Sequence, residues 1–130
     1  LTFKGALILG TGGAAKAVQY VLQQLNMEIL TVSRTEGKAD LTYKGINQDI
    51  LSKYKLIVNT TPLGMAPKVD ACPDIPYEYL DKNHMLYDLV YNPEKTLFLA
   101  NGEAQGSAII NGLQMLHLQA EKAWQIWTST

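Results

Sequence analysis

Cysteine is nearly absent: Cys72 stands alone among 130 residues, so an internal disulfide and a cysteine-rich metal site are both excluded. A surplus of charge of either sign is missing too. Eleven Lys and Arg against twelve Asp and Glu leave a formal net charge of −1, which supplies no global field for nucleic acid or an anionic membrane. No apolar run is long enough to cross a bilayer. The stretch from Leu1 to Leu9 is too short for a signal peptide. The single thiol suits a reducing, cytoplasmic setting. His84 and His117 have no Cys, His or carboxylate at ligand spacing, so no metal is expected. Internal repeats, low-complexity tracts and linkers are lacking, as is an initiator Met. The chain reads as one domain, residues 1–130, excised from a longer protein.

What is present is a globular composition, 47% hydrophobic and 18% charged, arranged around Leu7-Ile8-Leu9-Gly10-Thr11-Gly12-Gly13-Ala14-Ala15-Lys16. An apolar strand runs into a glycine turn that opens a helix. Gly10 permits a tight turn, Gly12 leaves room for a pyrophosphate to approach the backbone, and Ala15 lets the helix pack close to the strand. The N–H groups at the helix start then face the anion, aided by the helix dipole. A glycine loop without a ligand is the plain alternative for the string taken alone.

Along the chain, Ala6–Leu9 reads as a buried parallel strand and Gly13 to about Leu25 as a helix. Ala17, Val18, Val21, Leu22 and Leu25 make that helix's apolar face, with Asn26 as its stop. Glu28–Val32 is a second buried strand, completing a βαβ unit. At its end, where an NAD site holds an acidic residue on the ribose 2′-hydroxyl, stand Ser33 and Arg34, with Lys38 four residues on. A guanidinium grips a 2′-phosphate and stacks on adenine, so NADP is expected over NAD. A solvated basic loop is the alternative. A short strand within Ala39–Tyr43, a helix capped by Asn47 to about Lys53, and a strand Lys55–Asn59 follow. The polar loop Thr60-Thr61-Pro62-Leu63-Gly64-Met65 lies at a strand's carboxyl end, and Pro67–Pro76 reads as irregular surface. Then come a strand Met85–Val90, a helix from near Glu94 to Asn101 stopped by Gly102, a strand Ser107–Ile110 and a long helix Leu113–Thr128. Six strands with intervening helices predict an α/β, Rossmann-like doubly wound parallel sheet in three α/β/α layers, order 3-2-1-4-5-6.

Five motifs, in order, make almost the whole chain resemble the carboxyl-terminal NADP-binding domain of the shikimate dehydrogenases. Gly10-Thr11-Gly12-Gly13-Ala14 resembles the family's GAGGA loop, and Ser33-Arg34-Thr35 with Lys38 its NRT-x-x-[KR] stretch, Ser replacing Asn. Asn59 to Met65 is similar to its N-[AT]-[ST]-x-x-G-M loop, and Tyr87-Asp88-Leu89-Val90-Tyr91-Asn92-Pro93 to its Y-D-x-x-Y-x-P strand end. Gly112 to Leu116, Gln119-Ala120 and Trp127-Thr128 resemble its terminal helix.

The resemblance implies roles. The backbone of Gly10, Thr11, Gly12, Gly13 and Ala14 holds the pyrophosphate of NADP, and Ser33, Arg34, Thr35 and Lys38 surround the 2′-phosphate. Thr60, Thr61 and Leu63 line the nicotinamide-side ribose, Leu89 and Gly112 border the nicotinamide, and Met115 walls its pocket. Tyr91 and Gln119 reach hydroxyls of shikimate across an interdomain cleft. The family's reaction is reversible hydride transfer between NADPH and 3-dehydroshikimate, in the synthesis of chorismate and the aromatic amino acids. Its proton transfer belongs to a Lys and Asp pair in an amino-terminal substrate domain, so no catalytic residue is expected among these 130. That domain is the expected packing partner. The chain alone is expected to bind cofactor without turning over substrate. A quinate/shikimate dehydrogenase using NAD(P) and a non-catalytic nucleotide-binding domain are the alternatives. Lys16 is expected to be solvated and Asp88 to be a structural hydrogen-bond acceptor. Trp124 and Trp127 share a helical face, either core or interdomain.

Overall fold

In the computed structural model, residues 3–112 are described, and the order of elements follows the sequence expectation closely. Six strands, β1 (Gly5–Leu9), β2 (Glu28–Ser33), β3 (Leu41–Thr42), β4 (Leu56–Asn59), β5 (Met85–Asp88) and β6 (Ala108–Asn111), form one sheet. Its order is β3-β2-β1-β4-β5-β6 and every pairing is parallel. Among the described residues three α-helices accompany them, α1 (Gly13–Gln24), α2 (Gln48–Lys53) and α3 (Leu97–Ala104), with short 3-10 turns at Tyr43–Gly45 and Tyr77–Tyr79.

Both faces of the central strands are buried, as their unbroken apolar runs require. Alternation splits β1 between two cores. Ala6 and Ile8 pack with Ala15 and Leu22 of α1 and with Leu56 and Val58 of β4. Leu7 and Leu9 join Leu51, Ile57, Leu86, Phe98 and Leu99 on the opposite side. Ala15 is almost wholly buried, so α1 sits close to the sheet at its amino-terminal turn, as its small side chain allows.

The face of α1 is narrower than the sequence implies. Its contact row is Ala15, Val18 and Leu22. Val21 and Leu25 stand 47% and 56% exposed, and Ala17 is exposed as well. A helix touches a sheet along one stripe, whereas Ala17, Val21 and Leu25 form the adjacent i,i+4 row on its flank. Asn26 does end the helix. It adopts φ +62°, and its N–H and that of Met27 reach back to the carbonyls of Gln23 and Leu22, a Schellman closure.

The same closure corrects the end of α3. Gly102 is not its stop but an interior residue whose missing Cβ makes room for the Leu86 side chain. The stop is Gly106, at φ +87°, with N–H bonds from Gly106 and Ser107 to the carbonyls of Glu103 and Gly102. The start shifts as well, from Glu94 to Leu97, because Thr96 caps α3 by accepting from the Leu99 N–H. Asn47 caps α2 as expected, accepting from Ile50 N–H at 2.9 Å. β3 is shorter than Ala39–Tyr43 because Asp40 turns aside to accept from the Thr31 N–H and hydroxyl. The last strand is displaced by one residue, since the Ser107 N–H is spent on the Gly102 carbonyl in the closure of α3, while its hydroxyl donates to the Asp81 carbonyl. The expected helix Leu113–Thr128 lies outside the described residues.

His84 is a buried core histidine. Its Nε2–H donates to the Leu51 carbonyl at 2.7 Å and its Nδ1 meets the Asp81 backbone N–H at 3.1 Å. That ties β5 to α2, and among the described residues no group of three or more His, Cys, Asp or Glu could hold a metal.

Candidate functional site

Strand order reverses between β2 and β4, on either side of β1, so the crevice at the carboxyl end of β1 is where a ligand of this sheet would sit. Gly10 makes the turn there at φ +117°, a backbone region open to glycine. It has no room for a side chain either, since a Cβ would collide with the Thr60 hydroxyl. The Gly10 N–H bonds the Val32 carbonyl at 2.9 Å, and the Thr60 N–H and hydroxyl both donate to the Leu9 carbonyl, at 3.0 and 2.6 Å. The turn is thereby tied to both neighbouring strands.

Gly12 and Gly13 differ from Gly10. A Cβ at either would meet nothing within 4 Å, so the space above the start of α1 is open. Gly12 is the N-cap and no side chain caps the helix. The first intrahelical bond runs from the Lys16 N–H to the Gly12 carbonyl at 3.1 Å. The N–H groups of the first turn therefore face open space with the positive end of the helix dipole behind them, which fits an anion.

Beside the turn lies a cleft of about 390 Å³. Gly10, Thr11, Ser33, Arg34, Thr35 and Lys38 line one part, and Tyr43, Thr61, Pro62 and Leu63 another. No acidic residue is among its lining, and neither Arg34 nor Lys38 forms an ion pair among the described residues. Ser33 is buried, and its hydroxyl accepts from the Thr35 N–H at 3.0 Å, so its first task is to shape the basic loop. Lys16 is exposed, as expected, in an adjoining groove that also contains Lys38 and Asp40. A larger groove of about 570 Å³ occupies the amino-terminal edge of the sheet, near Lys4, Lys53 and Lys55, away from the glycine turn.

Behind Thr61, which lines the cleft, lies a buried polar network that the sequence disclosed only in part. Asp88 is fully buried at the end of β5. One carboxylate oxygen accepts from the Asn59 side-chain amide at 3.1 Å and the Val90 N–H at 3.0 Å, and the other accepts from the Thr96 hydroxyl at 2.6 Å. Asn59 in turn accepts from the Thr61 N–H and hydroxyl, at 3.0 and 2.6 Å. One carboxylate thus orders the loop after β4, the loop after β5 and the start of α3. The bond to Val90 also explains why β5 ends at Asp88 and not at Val90. Burial pushes the Asp88 carboxyl above its ordinary value, while the bonds from Thr96, Val90 and Asn59 pull it back. Its oxygens are occupied, so Asp88 is the structural acceptor expected of it. Thr96 was missed; the signal available was a threonine three residues before Leu99 at the head of an apolar run.

Among the other expected residues, Thr60 and Thr61 flank the turn with their hydroxyl protons already donated inward. The Leu89 N–H bonds the Asn59 carbonyl at 3.1 Å, and Gly112 packs so closely on the Leu89 carbonyl that a Cβ there would overlap it. Leu89 and Gly112 are therefore neighbours. Tyr91 is 59% exposed in the loop following β5. Ala14 is exposed in the first turn of α1. Met115 and Gln119 lie outside the described residues.

A glycine turn leading into a helix, set where the strand order of a parallel sheet reverses, places this domain in the Rossmann class. No protein-family model matches the sequence. Relatives by sequence do. The chain is 41% identical over 138 residues to a shikimate dehydrogenase (NADP(+)) of Caldicellulosiruptor saccharolyticus, covering 95% of this chain and 49% of that protein. Among solved structures, it superposes on a shikimate dehydrogenase in complex with NADP+ with a TM-score of 0.76 and 30% identity, over 100% of this chain and 50% of that one. The shikimate 5-dehydrogenase of Thermus thermophilus, in complex with NADP(H) and shikimate, gives a TM-score of 0.72 at 32% identity, over 96% and 49%. The chain is a homologue of these shikimate dehydrogenases and spans about half the length of the relatives it matches.

Proposed function

We propose that these 130 residues are the carboxyl-terminal, NADP-binding half of an NADP-dependent shikimate dehydrogenase acting in the cytoplasm. The observation that carries the reading is the acid-free cleft holding Arg34 and Lys38 beside an uncapped helix start. The backbone from Gly10 to Ala14 would hold the pyrophosphate, while Arg34, Thr35 and Lys38, on the loop that Ser33 braces, would hold the 2′-phosphate. Thr61 and Leu63 would border the ribose on the nicotinamide side. Leu89 and Gly112, already in contact, would border the ring, with Met115. Tyr91 and Gln119 would reach the substrate. The bound cofactor supplies the hydride that reduces 3-dehydroshikimate. The acid–base pair would come from an amino-terminal domain of the parent protein, since the buried Asp88 is committed to three donors.

Titrating the 130-residue chain with NADPH and NADH tests the cofactor assignment. NADPH is expected to bind, and more tightly than NADH. Arg34→Ala is expected to weaken NADPH about tenfold or more, the scale of charge-assisted hydrogen bonds, and to leave NADH within about threefold. An NADH preference, or no binding of either, overturns it. The parent protein is expected to reduce 3-dehydroshikimate with NADPH, whereas the isolated chain binds without turnover.

A further inference from the structure

Among the described residues, Tyr43 is the one aromatic side chain in the lining of the cleft beside the glycine turn. It also lines a second depression, of about 500 Å³, which shares Arg34, Tyr43 and Leu63 with the first. These three side chains therefore stand where the two depressions meet. Strand register brings Tyr43 there. Ser33 of β2 is paired with Thr42 of β3 in a parallel ladder, so Arg34 and Tyr43 are the first residues beyond the ends of adjacent strands, Tyr43 opening the 3-10 turn Tyr43–Gly45. The ring is half-buried against the core cluster that includes Leu9 and Val32, so it is anchored from behind while one part faces the cleft. Burial raises the phenol pKa and the positive charge of Arg34, which lines the same two depressions, opposes that rise. Among the described residues the Tyr43 hydroxyl has no hydrogen-bond partner.

We propose that Tyr43 is an affinity-determining residue for the purine base of the cofactor, offering its ring as an apolar wall beside Arg34 and Leu63. The assignment rests on the reading of the cleft as a dinucleotide site. The chemistry follows from the lining. A ligand whose phosphates lie over the start of α1 and whose 2′-phosphate meets Arg34 and Lys38 carries its base outward past β2. The flat, weakly polar surface waiting there is the Tyr43 ring, with Leu63 from the loop after β4. Base–aromatic contact needs the π face and not the hydroxyl, and it tolerates changes at the base edge.

The test is a ligand-and-residue cycle on the 130-residue chain. Adenosine 2′,5′-bisphosphate is compared with ribose 2,5-bisphosphate, which lacks the base, in the wild type, Tyr43→Ala, Tyr43→Leu and Tyr43→Phe. Removing the base is expected to cost the wild type about tenfold more affinity than it costs Tyr43→Ala. Tyr43→Phe is expected to stay within about twofold of wild type for both ligands. Tyr43→Leu keeps apolar bulk against the core; it is expected to remain folded and to show the reduced base dependence of Tyr43→Ala. Equal base dependence in wild type and Tyr43→Leu overturns the proposal, as does a loss in Tyr43→Phe matching that in Tyr43→Ala. Wild-type chain that binds neither NADPH nor the adenosine bisphosphate overturns the dinucleotide reading itself. Wild-type chain that binds both, with no coupling at Tyr43, overturns this assignment alone.

Discussion

Replacing Gly10 by alanine is expected to lower the stability of the domain by about 3 kcal/mol, whereas the same change at Gly12 should cost under about 1 kcal/mol and act on ligand affinity instead. The two glycines are separated by one residue and have opposite surroundings. At Gly10 the backbone is at φ +117°, where an L side chain is strained by roughly 1–3 kcal/mol. The new Cβ would also strike the Thr60 hydroxyl, which donates to the Leu9 carbonyl at 2.6 Å. Displacing that bond removes a further ~1 kcal/mol. At Gly12 nothing lies within 4 Å and φ is −79°, so the fold accepts alanine with only the loss of a favoured N-cap residue. The same methyl would stand where the proposed site has the pyrophosphate approach. NADPH affinity is expected to fall about tenfold or more in Gly12→Ala. Denaturant melts of both variants, with NADPH titration of Gly12→Ala, separate a glycine that makes the turn from one that admits the ligand. Unchanged NADPH affinity in Gly12→Ala would show that the phosphates lie elsewhere.

Asp88→Ala carries the second large effect, a loss of about 3–5 kcal/mol. It leaves the Thr96 hydroxyl, the Asn59 amide and the Val90 N–H without their acceptor in a buried place. Asp88→Asn keeps one acceptor oxygen and is expected to cost less, about 1 kcal/mol, through the Thr96 bond. The pair also gives a pH signature. The Asp88 carboxyl is raised above its ordinary 3.8 in the fold, so the native state holds this proton more tightly than the unfolded chain does. The contribution from this group is complete below that ordinary value and declines as pH rises through the folded pKa. The wild type should therefore exceed Asp88→Asn in stability by more in acid than at neutral pH. Urea melts across that range measure it. A difference that stays flat, or that grows toward neutral pH, would contradict the assigned environment.

The consequences of Asp88→Ala should extend beyond stability. The carboxylate holds Asn59, which holds Thr61, so its removal frees the loop that lines the cleft. Thr96 joins Asp88 to the Leu99 N–H at the start of α3, so the helix would lose order from the same end.

How much was legible beforehand depended on how local each signal was. The six strands came from apolar runs and the turn residues between them and their order from the doubly wound class that such alternation implies, and the structure reproduces 3-2-1-4-5-6. Asn26 and Asn47 were readable as helix boundaries because a cap is chosen by the residue that forms it. Gly102 was misread for a reason of the opposite kind. Glycine near the end of an apolar stretch resembles a stop, but here it is the contact surface for Leu86, a residue 16 positions away on β5. The exposed flank of α1 was misread because composition showed five apolar positions and could not say which row meets the sheet.

The site divides along the same line. Gly10, Gly12, Arg34 and Lys38 could be picked out from the chain alone, because a glycine turn, a helix start and a basic loop after a strand are each local patterns. That determined the Rossmann class and the absence of an acid where an NAD site would need one. Tertiary structure alone decided that Gly12 opens onto free space while Gly10 abuts Thr60, that Ser33 turns inward to brace its loop, and that Tyr43 stands beside Arg34. It also decided that Asn59, Asp88 and Thr96 share one buried network. Those facts depend on which residues of distant strands fall into register, Asn59 with Asp88 and Ser33 with Thr42. Register is set by the packing of the whole sheet, which a periodicity along one segment does not encode.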